Sequence, residues 1–297
     1  MTRGPVVEFP RATEAVALRE WLKAADNYDK VKEKFEGTSG HARLTRVEPI
    51  VEGRRVHLRF VATTGDAMGM NMVSKASSSA LLHICSQFPR MKVISLSGNA
   101  CTDKKAAAIN WVNGRGHSVV ADVVIPGSVV ASVLKTTTAA LVHCARAKLE
   151  GGSAAAGALG GGNAHAANVV AAIFLATGQD AAQVVSSSMC TTTFEEEADG
   201  SLYASVTMPC LEIGTLGGGT NLPPQAACLK MLGVAGASPP TCKPGENVAT
   251  LAQYIAATVL AGELSLMAAL TTDDLITLTV PSGGRRPHAK VECNSIL

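Results

Sequence analysis

The sequence lacks most of the features that would assign a role by composition alone. Its net charge is only +2 and charged residues make up 17% of the chain. With no basic stripe and no interleaving of aromatic and basic residues, a nucleic-acid partner is not expected. Its eight cysteines (Cys85, Cys101, Cys144, Cys190, Cys210, Cys228, Cys242 and Cys293) never form a Cys-x-x-Cys pair and do not cluster with histidine. They read as reduced core cysteines of an intracellular protein, not as a zinc site. No apolar run reaches the ~18–20 residues of a membrane span; the longest runs from Val169 to Gly178. Met1–Pro5 lacks the apolar segment of a signal peptide. What is present is a globular composition, 47% hydrophobic over 297 residues, long enough for one large domain or two smaller ones.

Charge is unevenly spread. The first sixty residues carry 12 Lys+Arg and 9 Asp+Glu, a solvated mixed surface. Further on, Asp180 is the only acidic or basic residue between Ser153 and Phe194, Glu212 the only one between Ser205 and Leu229, and Glu263 the only one between Asn247 and Thr272. This shift predicts a small exposed domain followed by a larger one with a buried Ala/Gly-rich core. In the first part, helices are expected over 13–22 and 29–35 and strands over 43–51 and 54–62, turning at Gly53. A helix over 68–88, with Asp66 near its start as a cap, and a strand over 92–97 complete a compact α+β unit of ferredoxin-like type. The second part predicts a strand over 118–125, a helix over 128–146, an Ala-rich helix over 164–177, a strand over 202–208 and a helix over 246–270. The Gly and Ala content of these helices is explained by close packing.

Four segments carry candidate chemistry. GDAMGMNM (65–72) lies between a strand and a helix; it is either a plain turn or a glycine-rich approach to an anion at a helix N-terminus. SGNACTDKK (97–105) sets three consecutive charges between apolar stretches. It is either a solvated loop or the site of an amine that polarises a carbonyl. In GQDAAQ (178–183), Asp180 is costly if buried, so it needs a partner or a task. EIGTLGGGT (212–220) is a second glycine-rich loop, matching neither the dinucleotide fingerprint nor the P-loop.

Taken together and in order, these segments resemble the 3-hydroxy-3-methylglutaryl-coenzyme A (HMG-CoA) reductase family. The matching pieces also include MTRGPVV (1–7), GRGHSVV (114–120), LKTTT (134–138), GGNAHAAN (161–168) and AGELSLMAAL (261–270). Met70 after Gly69 resembles the NADPH-using eukaryotic class. The resemblance implies an α+β fold in which a small ferredoxin-like cofactor domain is inserted in a larger, helix-rich α/β substrate domain. On this chain residues 1–4 would be a remnant of the large domain, 5–95 the NADPH-binding domain, 96–275 the CoA and substrate domain, and 276–297 a divergent tail. It implies reduction of HMG-CoA to mevalonate and CoA with two NADPH. Lys104 would be the catalytic cation and Asp180 its partner. Arg3, Ser97, Lys105, Lys148 and Asn168 would contact substrate; Asp66, Met70, Asn71, Gly217, Gly218 and Gly219 would contact cofactor. His165 is instead read as a packed, hydrogen-bonded core histidine. The family also implies a homodimer or tetramer with sites formed between subunits, and commonly an anchor in the endoplasmic reticulum membrane, although soluble forms exist.

The chain departs from the pattern at both ends. The family's acid glutamate lies in a segment preceding MTRGPVV, and its thiolate-protonating histidine follows AGELSLMAAL. Here the sequence after Leu275 does not match, and His288 stands in a different context. The expectation is therefore an incomplete catalytic domain, inactive or nearly so on its own, since each missing acid contributes ~100- to 10,000-fold. A catalytically dead paralogue that binds CoA or a partner, and a dinucleotide-binding module with another substrate, are the alternatives. Retention of Lys104 and Asp180 argues against the first.

Overall fold

The computed structural model describes residues 1–272. The tail over 276–297, with His288, and the last three residues of the expected large domain lie outside the described residues.

The N-terminal part is built on a five-stranded sheet. Strands β1 (Thr2–Arg3) and β2 (Val6–Glu8) run along one side of β4 (Arg55–Thr63), while β3 (Arg43–Glu52) pairs with its other side and β5 (Lys92–Ser95) lies outside β2. All pairings are antiparallel. Helices α1 (Ala12–Lys23) and α2 (Ala25–Glu36) connect β2 to β3, and α3 (Met70–Gln87) connects β4 to β5. With β1 set aside, the spatial order β3-β4-β2-β5 is that of the ferredoxin-like βαββαβ unit. The sequence supplied the hairpin and the helices but not β1 and β2. These are two and three residues long and interrupted by Gly4–Pro5, too short for an alternating pattern to show.

The hairpin is set by Gly53, whose φ of +55° is open to glycine at little cost. Along β4, Val56, Leu58, Phe60 and Ala62 point to one face and are buried. They join Val7, Leu18, Phe35, Val73 and Ile84 in a core drawn wholly from residues 1–91.

After α4 (Ala108–Asn113) the chain enters a three-stranded antiparallel sheet ordered β6 (His117–Ile125), β8 (Leu202–Leu211), β7 (Thr191–Glu196). The helix expected over 128–146 is two, α5 (Gly127–Val133) and α6 (Thr138–Ala145). Lys135 breaks them with φ +59°, and Thr137 caps the second by accepting from the Ala140 N–H at 3.1 Å. A π-helical stretch, Arg146–Gly152, leads to α7 (Ser153–Ala156), then α8 (Ala166–Thr177), α9 (Val184–Ser187), α10 (Pro223–Met231) and α11 (Glu246–Thr271). Strand β7 and helix α10 were not anticipated.

Helix α11, of 26 residues, is the one described unbroken helix long and apolar enough to cross a membrane. Here it packs against β6, β8 and α8. Val248, Leu251, Ile255, Val259 and Met267 recur at helical spacing in a second core drawn from residues 130–268.

Candidate active site

The 97–105 loop is held in a conformation its residues do not favour. Asn99, Thr102 and Lys104 all have positive φ (63°, 58° and 60°). Left-handed non-glycine residues each cost on the order of 1–3 kcal/mol and persist only where surroundings impose them. Here the surroundings do so with directed bonds. The Gly98 N–H donates to the Gly4 carbonyl at 2.6 Å, the Thr2 hydroxyl donates to the Cys101 carbonyl at 2.8 Å, and the Thr102 hydroxyl donates to Asn110 Oδ1 at 2.7 Å. The result aims the Lys104 ammonium at Asp180, with Nζ 3.1 Å from Oδ2. The other Asp180 oxygen caps the short turn that follows, accepting from the Ala182 N–H at 3.0 Å.

This pair explains the lone acid in an apolar stretch, but it is not a stability device. The side chains are 43% and 32% exposed, and an ion pair that wet contributes about 0–1 kcal/mol. A strained loop that ends in a pair of such small worth has some use other than holding the fold.

Three motifs separated by up to 150 residues converge beside it. The Gln179 side chain grips the backbone of a single residue, accepting from the Gly214 N–H and donating to the Gly214 carbonyl, each at 2.9 Å. Gly178, at φ +72°, lies so close to the second glycine loop that a Cβ would sit 2.4 Å from the Gly219 carbonyl group. That loop is stitched to the 65–69 turn by Thr215 N–H to the Asp66 carbonyl at 2.8 Å and by an Ala67–Leu216 bridge. Between them is a cleft of about 710 Å³ lined by Arg3, Met70, Asn71, Asp103, Lys104, Asp180 and Gln183 together with residues of the 214–220 loop. Gly217 and Gly218, at φ +82° and +58°, have open space where a side chain would be, so their backbone is approachable. Helix α3 starts at the same cleft with Gly69 as its N-cap and no side chain capping it, which leaves orphan N–H groups and the positive end of the helix dipole at the cleft wall.

Asp103 and Arg115 are additions that the sequence did not single out. Asp103 Oδ1 accepts from Gln183 Nε2 at 3.0 Å and from Arg115 Nη2 at 3.2 Å, and Oδ2 is 3.8 Å from Arg3 Nη1. Arg3 also donates through Nε to the Ser74 hydroxyl at 2.8 Å. Arg115 is buried and ion-paired with Glu212, which is fully buried. Burial pushes the Glu212 carboxyl up from its ordinary range, and the Arg115 cation pulls the other way. Burial disfavours the Arg115 charge, yet the Glu212 carboxylate outweighs it and the guanidinium is held above its usual pKa. The signal available in sequence was the isolation of Glu212, the same signal that marked Asp180.

The remaining expected positions fall elsewhere. Ser97, Lys105, Lys148 and Asn168 are exposed and are not among the residues lining the cleft. The Lys105 ammonium donates to the Asp103 carbonyl of its own loop at 3.2 Å. Asp66, expected to cap α3 and to face cofactor, is instead fully engaged with the start of α11. Its oxygens accept from the Ser238 N–H and hydroxyl (both 2.8 Å), the Gly245 N–H (3.2 Å) and the Val248 N–H (3.3 Å). The neighbouring residues Ala67–Asn71, not Asp66, line the cleft. His165 sits at the start of α8 with Nδ1 2.9 Å from Glu263. Buried Glu263 also accepts from the Ala164 and His165 N–H groups and the Thr192 hydroxyl. His165 is hydrogen-bonded as the sequence suggested, though half-buried and not in the core, and the contact gives the third isolated acid its partners. The seven described cysteines are free thiols.

A sequence model of hydroxymethylglutaryl-coenzyme A reductase matches residues 1–277. Over 278 residues, 93% of the chain, the sequence is 54% identical to 3-hydroxy-3-methylglutaryl-coenzyme A reductase of Blattella germanica and of Drosophila melanogaster. It is 53% identical over 298 residues to that of Agrotis ipsilon, an alignment that takes in the whole chain. These alignments cover 32%, 30% and 35% of the relatives, so the chain spans about a third of their length. Among solved structures, the fold is similar to the class II enzyme of Streptococcus pneumoniae bound to NADPH, with a TM-score of 0.62 at 17% identity, covering 91% of this chain and 71% of that one. The structural likeness speaks for the fold alone; the sequence match extends through every motif that builds the cleft, and the chain belongs to the hydroxymethylglutaryl-coenzyme A reductase family.

Proposed function

We propose that this chain carries the cofactor cleft and the central cation of an NADPH-dependent reductase that converts HMG-CoA to mevalonate and CoA. The observation that carries the proposal is Lys104, held 3.1 Å from Asp180 at a cleft whose walls are the 214–220 loop and the start of α3. A nicotinamide dinucleotide fits the chemistry of those walls. Open glycine backbone at Gly217 and Gly218 and the uncapped N–H groups at Met70 and Asn71 suit its phosphates. When bound there, a nicotinamide dinucleotide would supply the hydride for reduction at an acyl carbon. The chain's own contribution is electrostatic. An ammonium fixed by a strained loop and a carboxylate needs no reorganisation when charge develops on the carbonyl oxygen of a thioester or an aldehyde. Asp180 sets the direction of Lys104, and Arg3 offers a cation for the polar end of the acyl group.

The two separate cores support a division into a small cofactor-binding unit and a larger CoA-binding unit, but not the expected placing of residues 1–4 with the larger one: Met1 belongs to the small core and Thr2–Arg3 pairs with β4 in its sheet. Ser97, Lys105, Lys148 and Asn168, exposed and apart from the cleft lining, suit a site completed between subunits of a homodimer or tetramer. Residence at the endoplasmic reticulum membrane is proposed on the family resemblance alone.

The test uses the full-length protein, titrated with NADPH and with HMG-CoA separately and then followed for NADPH oxidation with both. Binding of both and formation of mevalonate is the expected result. Binding of NADPH without HMG-CoA would point to a different substrate, and binding of HMG-CoA without turnover to a paralogue that has lost catalysis.

A further inference from the structure

We propose that Arg115 is a positioning residue for Lys104, the point at which four separated motifs are held in one geometry. The inference rests on the functional reading above and extends it to a buried residue that is not among those lining the cleft.

Arg115 is 3% exposed, and its donors go to four segments. Nε donates to the Thr2 hydroxyl at 2.8 Å in β1. Nη2 lies 3.2 Å from Asp103 in the lysine loop and 3.1 Å from the Met70 sulfur at the first turn of α3. Nη1 pairs with Glu212, where β8 passes into the glycine loop. The backbone fixes the fork from below, since Gly114 and Gly116 on either side both have positive φ, and a Cβ at Gly116 would collide with the Leu211 carbonyl.

Two routes lead from this fork to the ammonium. One runs through Asp103, the residue immediately before Lys104. The other runs through the Thr2 hydroxyl, which accepts from Arg115 and donates to the Cys101 carbonyl inside the same loop. Both restrain a loop in which Thr102 and Lys104 hold positive φ. A loop under that strain relaxes when a restraint is removed, and Lys104, two-fifths exposed, has the freedom to move with it.

Stability alone does not explain the arrangement. A buried ion pair loses most of its Coulombic gain to desolvation, and apolar residues of similar volume often serve as well. What an arginine provides that they cannot is a planar fork with fixed donor directions. Lysine keeps the charge but presents a single point, so it can hold Glu212 or Asp103 but not all four partners.

The test is Arg115→Lys in the full-length protein, read by steady-state kinetics, equilibrium binding of NADPH by fluorescence, and thermal unfolding. A misplacement of about 1 Å of a catalytic group costs on the order of 100-fold, so kcat should fall by roughly that factor. KM for the acyl-CoA and the dissociation constant of NADPH should stay within about threefold, since the lost interaction matters only in the transition state. Where Arg115→Lys does not fold, the Thr2 pair decides. Thr2→Val removes the hydroxyl link and should lower kcat about tenfold, whereas Thr2→Ser, which keeps it, should restore the wild-type value. An Arg115→Lys protein with kcat within about threefold of wild type overturns the proposal. So do equal rates for Thr2→Val and Thr2→Ser, or losses in kcat, KM and NADPH binding that move together with thermal stability. A wild-type protein that binds NADPH but does not reduce HMG-CoA is a separate failure, that of the functional reading, and takes this inference with it.

Discussion

Replacing Lys104 by methionine should separate catalysis from folding. At 3.1 Å the gross attraction between the ammonium and Asp180 is about 5 kcal/mol at an effective dielectric constant near 20. With the partners 43% and 32% exposed, solvation of the separated ions cancels most of this, leaving about 0–1 kcal/mol. Methionine matches the length of the stem and inherits the same left-handed backbone, so the strain of about 1–2 kcal/mol at this position is unchanged. The melting temperature should therefore move by no more than about 4 °C. Turnover is different, because removing a single neutral oxyanion donor costs about 100- to 1000-fold and Lys104 offers a full charge. A fall in kcat of about 1000-fold or more is expected, with NADPH affinity little changed. Asp180→Asn keeps the cap on Ala182 and the cation, and should lose less, about 10- to 100-fold. The assay is the initial rate of NADPH oxidation with HMG-CoA, beside thermal unfolding of the same preparations. A Lys104→Met protein retaining about a tenth of wild-type kcat would refute an oxyanion role. A melting temperature lower by more than about 10 °C would show the pair to be structural.

Further outcomes follow from the packing. Gly178→Ala places a Cβ 2.4 Å from backbone atoms of Gly219 at φ +72°. It should destabilise by about 2–5 kcal/mol from overpacking and left-handed strain together and weaken NADPH binding, whereas Gly157→Ala, with φ +61° and open space, should cost only about 1–2 kcal/mol; equal melting temperatures for the two would contradict the close approach of the loops. Burial raises the Asp66 carboxyl, but hydrogen bonds from Ser238, Gly245 and Val248 outweigh it and hold its pKa below the ordinary aspartate range. Its contribution is thus full above the unfolded pKa of about 4 and is lost as pH falls through the lower folded value. Wild-type stability should drop in that acid window by more than that of Asp66→Asn, as measured by denaturant unfolding across pH. Glu263→Gln turns an acceptor of four donors partly into a donor; a loss of about 2–3 kcal/mol is expected, seen as a melting temperature lower by roughly 5–10 °C, and a melting temperature within about 2 °C of wild type would show that the acid does not anchor α8.

Much of this architecture was legible in the residues. Alternation at Val56, Leu58 and Phe60 and the turn at Gly53 gave the hairpin, and apolar periodicity gave α3, α8 and α11, because local pattern decides those elements. Strands β1 and β2 were not legible, since a pair of two- and three-residue strands has no pattern of its own and exists only by pairing with β4. The break at Lys135 was hidden for a related reason: a lysine in left-handed backbone is chosen by its surroundings and not by its own preference.

The site divides along the same line. Sequence by itself determined the family, the four motifs, and the isolation of three acids in apolar stretches, each of which proved to have partners: Asp180 with Lys104, Glu212 with Arg115, Glu263 with His165 and the start of α8. Isolation says that a carboxylate needs a partner, because an unpaired charge is costly to bury. It does not say which cation comes to meet it, since that depends on chain crossings between residues about a hundred apart. Only the tertiary structure decided that Asp66 belongs to α11 and not to α3, that Asp103 and Arg115 stand behind Lys104, and that the 178–183 turn meets the second glycine loop at Gly178 and Gly219. Directional bonds across long separations fix these choices, and they leave no periodicity in the chain.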